Sequence, residues 1–122
     1  MKVKVIGLYI ENVSDKIINH DMNGYINIGD EFTVFAISIL NEITYFQIYS
    51  DKKLMSVPSL IFEILDGSVS KFWVFRKNNL NTLFWPKEFF LDYFHDDLLE
   101  GIPDTVKKFN EVKIKIESES IC

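Results

Sequence analysis

The chain has 122 residues, 48% hydrophobic and 25% charged, which suits a single folded domain over residues 1–122 and argues against a disordered chain. Its formal charge is −5 and Arg76 is the only arginine, so it is poorly equipped to grip phosphate backbones and no direct nucleic-acid ligand is expected. Its longest apolar runs are far shorter than the roughly 20 residues a bilayer-spanning helix needs, so no membrane partner is expected either.

Residues 2–9 alternate in strand fashion, with Val3 and Val5 on one face, and predict a first strand. Residues 11–24 are polar, rich in Asn, Asp and Ser, and predict a loop with a short helical turn after Ser14. Gly29-Asp30 punctuates the chain before an apolar strand over 31–39, and Asn41-Glu42 predicts a tight turn into a second strand over 43–49. Residues 50–56 read as a polar connection. A second hairpin is expected from 60–65 and 72–76, joined around Asp66-Gly67-Ser68. Asn78, Asn79 and Asn81 then mark a turn into a short strand over 82–85.

Pro86 fits the first position of a helix and Glu88 suits its positive end; this helix is expected to run to Leu99 and stop at Gly101. From Pro103 a further helix is predicted by Val106, Phe109, Val112 and Ile116 at helical spacing. Residues 112–116 also alternate, which leaves a terminal strand open. The order of elements is that of an α+β fold: an antiparallel sheet of about five or six strands in a meander, with one or two C-terminal helices packed on one face.

The most informative segment is 88–104, with six carboxylates and no Lys or Arg. With the whole chain at −5 and this segment at −6, the remainder sums to +1. On one continuous helix Glu88, Asp92 and Asp96 recur every four residues and share a face, with Glu100 continuing the row. Like charges at that spacing repel by a few tenths of a kcal/mol each, and the row has no interspersed lysine to relieve it. An acidic face beside large rings suits a strongly basic partner, because complementary potential speeds encounter and desolvated rings slow release. The candidate partner-binding residues are Trp85, Glu88, Asp92, Tyr93, Asp96, Asp97, Glu100 and Asp104. The plainer reading of the same residues is a solvated face of an amphipathic helix.

Chemistry has weaker signals. Asp92 and His95 have the spacing of a metal-binding pair on one helix face, but His20 is the only other imidazole, so no metal and no cofactor are expected. No Gly-x-Ser-x-Gly or glycine-rich phosphate loop is present, and no enzymatic activity is expected. Cys122 is the only cysteine, so no intrachain disulfide is available and a reducing cytoplasm is the expected home. Arg76 is expected to pair with one of the acids.

Three stretches carry a resemblance. Ile28-Gly29-Asp30-Glu31-Phe32 opens an apolar strand, Leu60-Ile61-Phe62-Glu63-Ile64 is followed by Phe72-Trp73, and Trp85-Pro86-Lys87-Glu88-Phe89 opens a helix. In these the chain resembles the small immunity proteins of bacterial toxin systems, including contact-dependent growth inhibition. The resemblance implies a non-enzymatic protein that neutralises one cognate toxin domain, often a nuclease, by blocking its active site or substrate access. Three other readings stay open: a generic acidic protein-interaction module, a small metal-dependent enzyme built on Asp92, His95 and Asp96, and a small-ligand binder inside a curved sheet, which the many aromatics permit but no polar cluster points to.

Overall fold

The computed structural model describes residues 1–7 and 26–119. In chain order its strands are β1 (Lys2–Val5), β2 (Glu31–Thr33), β3 (Ala36–Leu40), β4 (Ile43–Ser50), β5 (Lys53–Pro58), β6 (Phe62–Asp66), β7 (Trp73–Asn78) and β8 (Asn81–Pro86). A 3-10 turn over Lys87–Phe90 leads to α1 (Phe94–Glu100) and α2 (Pro103–Glu119). The expected loop at 11–24, the end of the first strand, His20 and Cys122 lie outside the described residues.

The class is α+β with antiparallel pairing throughout, and two sheets form. The larger has strand order β5-β4-β3-β8-β7; the smaller has order β2-β1-β6. Alternation along β4 explains how they stack. Phe46 and Ile48 face a core shared with Val3, Val5, Val34, Val57 and Phe62, under the smaller sheet. Gln47 and Tyr49 point the opposite way; Tyr49 packs against the second core of Phe35, Ala36, Phe89, Phe94, Phe109, Val112 and Ile116, under the helices. The larger sheet is therefore the middle layer.

This layering breaks the long strand expected over 31–39. Val34 belongs to one core and Phe35 to the other, so the chain leaves the small sheet there and enters the large one. The switch is held by backbone bonds: Val34 N–H donates to the Met1 carbonyl at 3.0 Å and Phe35 N–H to the Gln47 carbonyl at 2.8 Å. The turn at Asn41-Glu42 forms as expected, with φ of 51° and 70°. Asp51 and Lys52 adopt the same conformation, with φ of 51° and 62°, and join β4 to β5. Residues 53–56, expected as part of a polar connection, thus belong to strand β5; non-glycine residues at positive φ concealed the hairpin.

The hairpin expected from 60–65 and 72–76 does not form. β6 pairs with β1, where Phe62 joins the core of Val3 and Val5, while β7 pairs with β8 through the Asn79 turn. The crossing segment is anchored by Ser70: its hydroxyl donates to Glu119 Oε1 at 2.6 Å and accepts from the Phe72 N–H at 3.1 Å. Trp73 adds a bond from its indole N–H to the Phe35 carbonyl at 2.8 Å. At the C-terminus helix wins over strand. Val112 and Ile116 are buried while Ile114 between them is exposed, as helical spacing requires.

Candidate functional site

The segment 88–104 is not one helix. Pro86 precedes a single 3-10 turn, whose end at Leu91 is extended, with φ −63° and ψ 142°. Tyr93 is then left-handed, with φ 60° and ψ 17°, and only after it does α1 begin. Glu88, Asp92 and Asp96 therefore do not share a helical face, and neither do Asp92 and His95. The reason is packing. Phe89 and Phe94 must both reach the core, where their rings stack with centroids 4.9 Å apart, and a regular helix puts positions five apart on different faces.

A sharp stop follows. Gly101 is left-handed at φ 76°, its N–H donates to the Leu98 carbonyl at 3.1 Å, and the Ile102 N–H donates to the Asp97 carbonyl at 3.0 Å. This is a Schellman ending, and Gly101 is where the sequence predicted it. α1 is thus a short helix standing between two left-handed residues, one aromatic and one glycine.

The acids then sort by environment. Asp96 and Asp97 sit in the first turn of α1 and Asp104 in that of α2, where the helix dipoles favour negative charge. Asp92 and Glu100 receive no such local stabilisation; Asp92 precedes the helix and Glu100 closes it. Asp92, Asp96, Glu100 and Asp104 are exposed, and Asp97 is half-buried. Among the described residues none of these five forms an ion pair; Lys113 pairs instead with Glu117, at 3.3 Å. Glu88 stands apart, half-buried beside Lys71, Lys87 and Lys115 in a groove on the helix side.

Apolar side chains are exposed among these acids. Tyr93 is 75% exposed, Leu99 68%, Leu91 47% and Ile102 40%. Exposed apolar side chains close to charges of one sign are the usual make-up of a protein-docking surface. The left-handed backbone at Tyr93 costs roughly 1–2 kcal/mol, and its ring meets solvent.

Beneath this surface lies a ladder of rings. Trp85 stacks on Phe90 at 5.0 Å and meets the His95 ring at 5.1 Å, and its indole N–H donates to Ser38 Oγ at 2.9 Å. Trp85 is therefore held from within on β8 and supports the acidic segment rather than projecting from it. His95 Nε2 lies 3.0 Å from Gln47 Oε1, within hydrogen-bond distance. Burial pushes the His95 pKa below its ordinary value, and the Asp96 charge opposes that shift. Among the described residues Arg76 pairs with no acid, contrary to expectation. Its guanidinium lies 4.0 Å from the centroid of the Phe90 ring and caps the ladder.

Among the described residues no cluster of three His, Cys, Asp or Glu side chains is placed to hold a metal ion, and no helix is long and apolar enough to cross a membrane. Comparison with protein families, with characterised proteins and with solved structures found no match. Sequence reasoning did not single out Gln47, Leu91, Leu99, Ile102 or the lysines around Glu88 as site residues. Gln47, Lys71 and Lys115 reach the site from distant segments, while Lys87, Leu91, Leu99 and Ile102 lie beside or within the acidic stretch.

Proposed function

We propose that this chain is an immunity protein: a non-enzymatic inhibitor of the basic, nuclease-type toxin domain of a contact-dependent growth inhibition or related system. The observation that carries the reading is Tyr93, an exposed ring on a strained backbone, set among the carboxylates of Asp92, Asp96, Asp97 and Glu100, which form no ion pair among the described residues. Such a site matches a cationic substrate cleft in two ways. The acids replace the phosphates that the toxin's lysines and arginines would otherwise hold, and the ring fills an apolar recess at the centre. Asp104 extends the acidic surface to the start of α2, while Trp85 supports the segment from within and Glu88 faces the lysine-lined groove.

The test is co-expression with the toxin domain encoded immediately upstream. The two proteins co-purify, and cells survive the toxin only when this chain is present. Asp92→Ala with Asp96→Ala weakens the complex; loss of one partner from a desolvated charge pair costs on the order of 2–5 kcal/mol, far more than loss of a rim charge. The salt dependence of binding becomes shallower in the same variant, because fewer charges are matched. Unchanged affinity and unchanged salt slope remove this surface from the proposal.

A further inference from the structure

Where β7, the 3-10 turn and the C-terminal half of α2 meet, a groove of about 310 Å³ opens. Phe72, Val74, Pro86, Val112 and Ile116 line it, and of these Pro86, Val112 and Ile116 are core residues already withdrawn from water. The charged lining is Lys71, Lys87, Lys115 and Glu88, three positive charges against one negative. The acidic chain thus carries a cationic recess.

Two of those lysines share one ring. Lys71 Nζ lies 5.3 Å and Lys115 Nζ 5.8 Å from the Phe72 centroid. They can be no farther apart than the sum of those distances, about the Debye length of roughly 10 Å in 0.1 M salt. Neither these two nor Lys87 has an ion-pair partner among the described residues. Ammonium groups beside a low-dielectric apolar floor focus positive potential into the recess.

We propose that this groove binds a small amphipathic carboxylate, its aromatic or branched aliphatic body on the Val74–Val112–Ile116 floor and its carboxylate between Lys71 and Lys115. The volume lies at the low end of ligand pockets, which suits a single ring with a short acidic arm. Lysines act as point charges without the planar fork of arginine, so the carboxylate is held by charge and the body supplies orientation.

The test uses the full chain and 4-phenylbutyrate, with 4-phenyl-1-butanol as its neutral counterpart, followed by amide chemical shifts. The acid gives saturable shifts at 71–74, 87–88 and 112–116, and the alcohol binds about tenfold more weakly. Lys71→Gln with Lys115→Gln, both exposed positions, keeps the fold by circular dichroism and weakens the acid by a similar factor. Val74→Trp leaves the lysines in place, fills the groove and abolishes the shifts. Equal binding of acid and alcohol overturns the proposal, as do shifts located elsewhere, retained affinity in the double lysine variant, or no shifts at millimolar acid.

Discussion

The break before α1 yields a prediction whose sign separates it from a continuous helix. Tyr93 and Gly101 share the left-handed conformation, at φ of 60° and 76°. Truncating Tyr93 to Ala and to Gly removes the same ring, so the difference between the two variants isolates one Cβ on that backbone. Relief of the left-handed strain is worth roughly 1–2 kcal/mol. The wider unfolded ensemble of glycine takes back roughly 0.4–1 kcal/mol. Tyr93→Gly is therefore more stable than Tyr93→Ala by about 0.8 kcal/mol, or about 3 °C in Tm for a chain of this length. Gly101→Ala is the mirror experiment. The added Cβ meets nothing within 4 Å, so the cost is conformational alone and of the same size with opposite sign. Urea unfolding monitored by tryptophan fluorescence measures all three variants. In a continuous helix the order at position 93 reverses, with glycine about 1 kcal/mol worse than alanine. That reversed order refutes the broken-helix geometry and, with it, the strained presentation of the Tyr93 ring.

Other expectations concern the acids, the histidine and the end of α2. Glu100→Ala leaves stability within about 0.5 kcal/mol of the parent or raises it, whereas Asp97→Ala lowers it by about 0.3–1 kcal/mol through loss of the helix-dipole interaction; matched chemical denaturation curves distinguish them. The His95 pKa lies below its ordinary value, so around pH 6 the unfolded chain binds more protons than the folded one. The contribution is complete above the ordinary histidine pKa and is lost as pH falls through it toward the folded value; thermal unfolding between pH 5 and 8 shows this slope in the parent and a flatter one in His95→Gln. Glu119 accepts from Ser70 Oγ at 2.6 Å and from the Lys71 N–H at 3.0 Å. Glu119→Ala removes both charge-assisted bonds and costs about 1.5 kcal/mol, read as a lower urea midpoint and faster hydrogen exchange at Lys71.

What was legible in the sequence was local. The Asn41-Glu42 turn, the Asn79 turn, the Gly101 stop and the Phe109–Val112–Ile116 face of α2 all depend on neighbours within one or two turns of chain, and each is present. What was not legible depends on partners far away. Val34 and Phe35 face different cores, and only the second sheet makes that necessary. Spacing also misled at the acidic segment, where the four-residue recurrence of Glu88, Asp92 and Asp96 imitates a helix that Phe89 and Phe94 interrupt. The composition of the acidic surface was visible in the sequence, while its shape came from the aromatic core beneath it. The lysine groove had no signal, since 71–74, 86–88 and 112–116 meet only once the helices are docked.

α2 sets the distance between the two surfaces. Asp104 lies in its first turn and Lys115 near its end, eleven residues on, which is about 16 Å at the helical rise. At physiological ionic strength the Debye length is roughly 8 Å, so the two surfaces are largely screened from each other. Lys71→Gln with Lys115→Gln accordingly leaves affinity for the proposed cationic partner within about twofold at that salt. In 0.01 M salt, where the screening length reaches roughly 30 Å, the same variant associates faster with that proposed partner, because two charges that repel it are gone. A large loss of affinity at physiological salt would instead mean that the proposed partner touches the groove directly, making the acidic and basic surfaces halves of one interface. Stopped-flow association at the two ionic strengths decides between these arrangements, because a shared interface changes the dissociation rate at both salts while a remote field changes only the low-salt encounter.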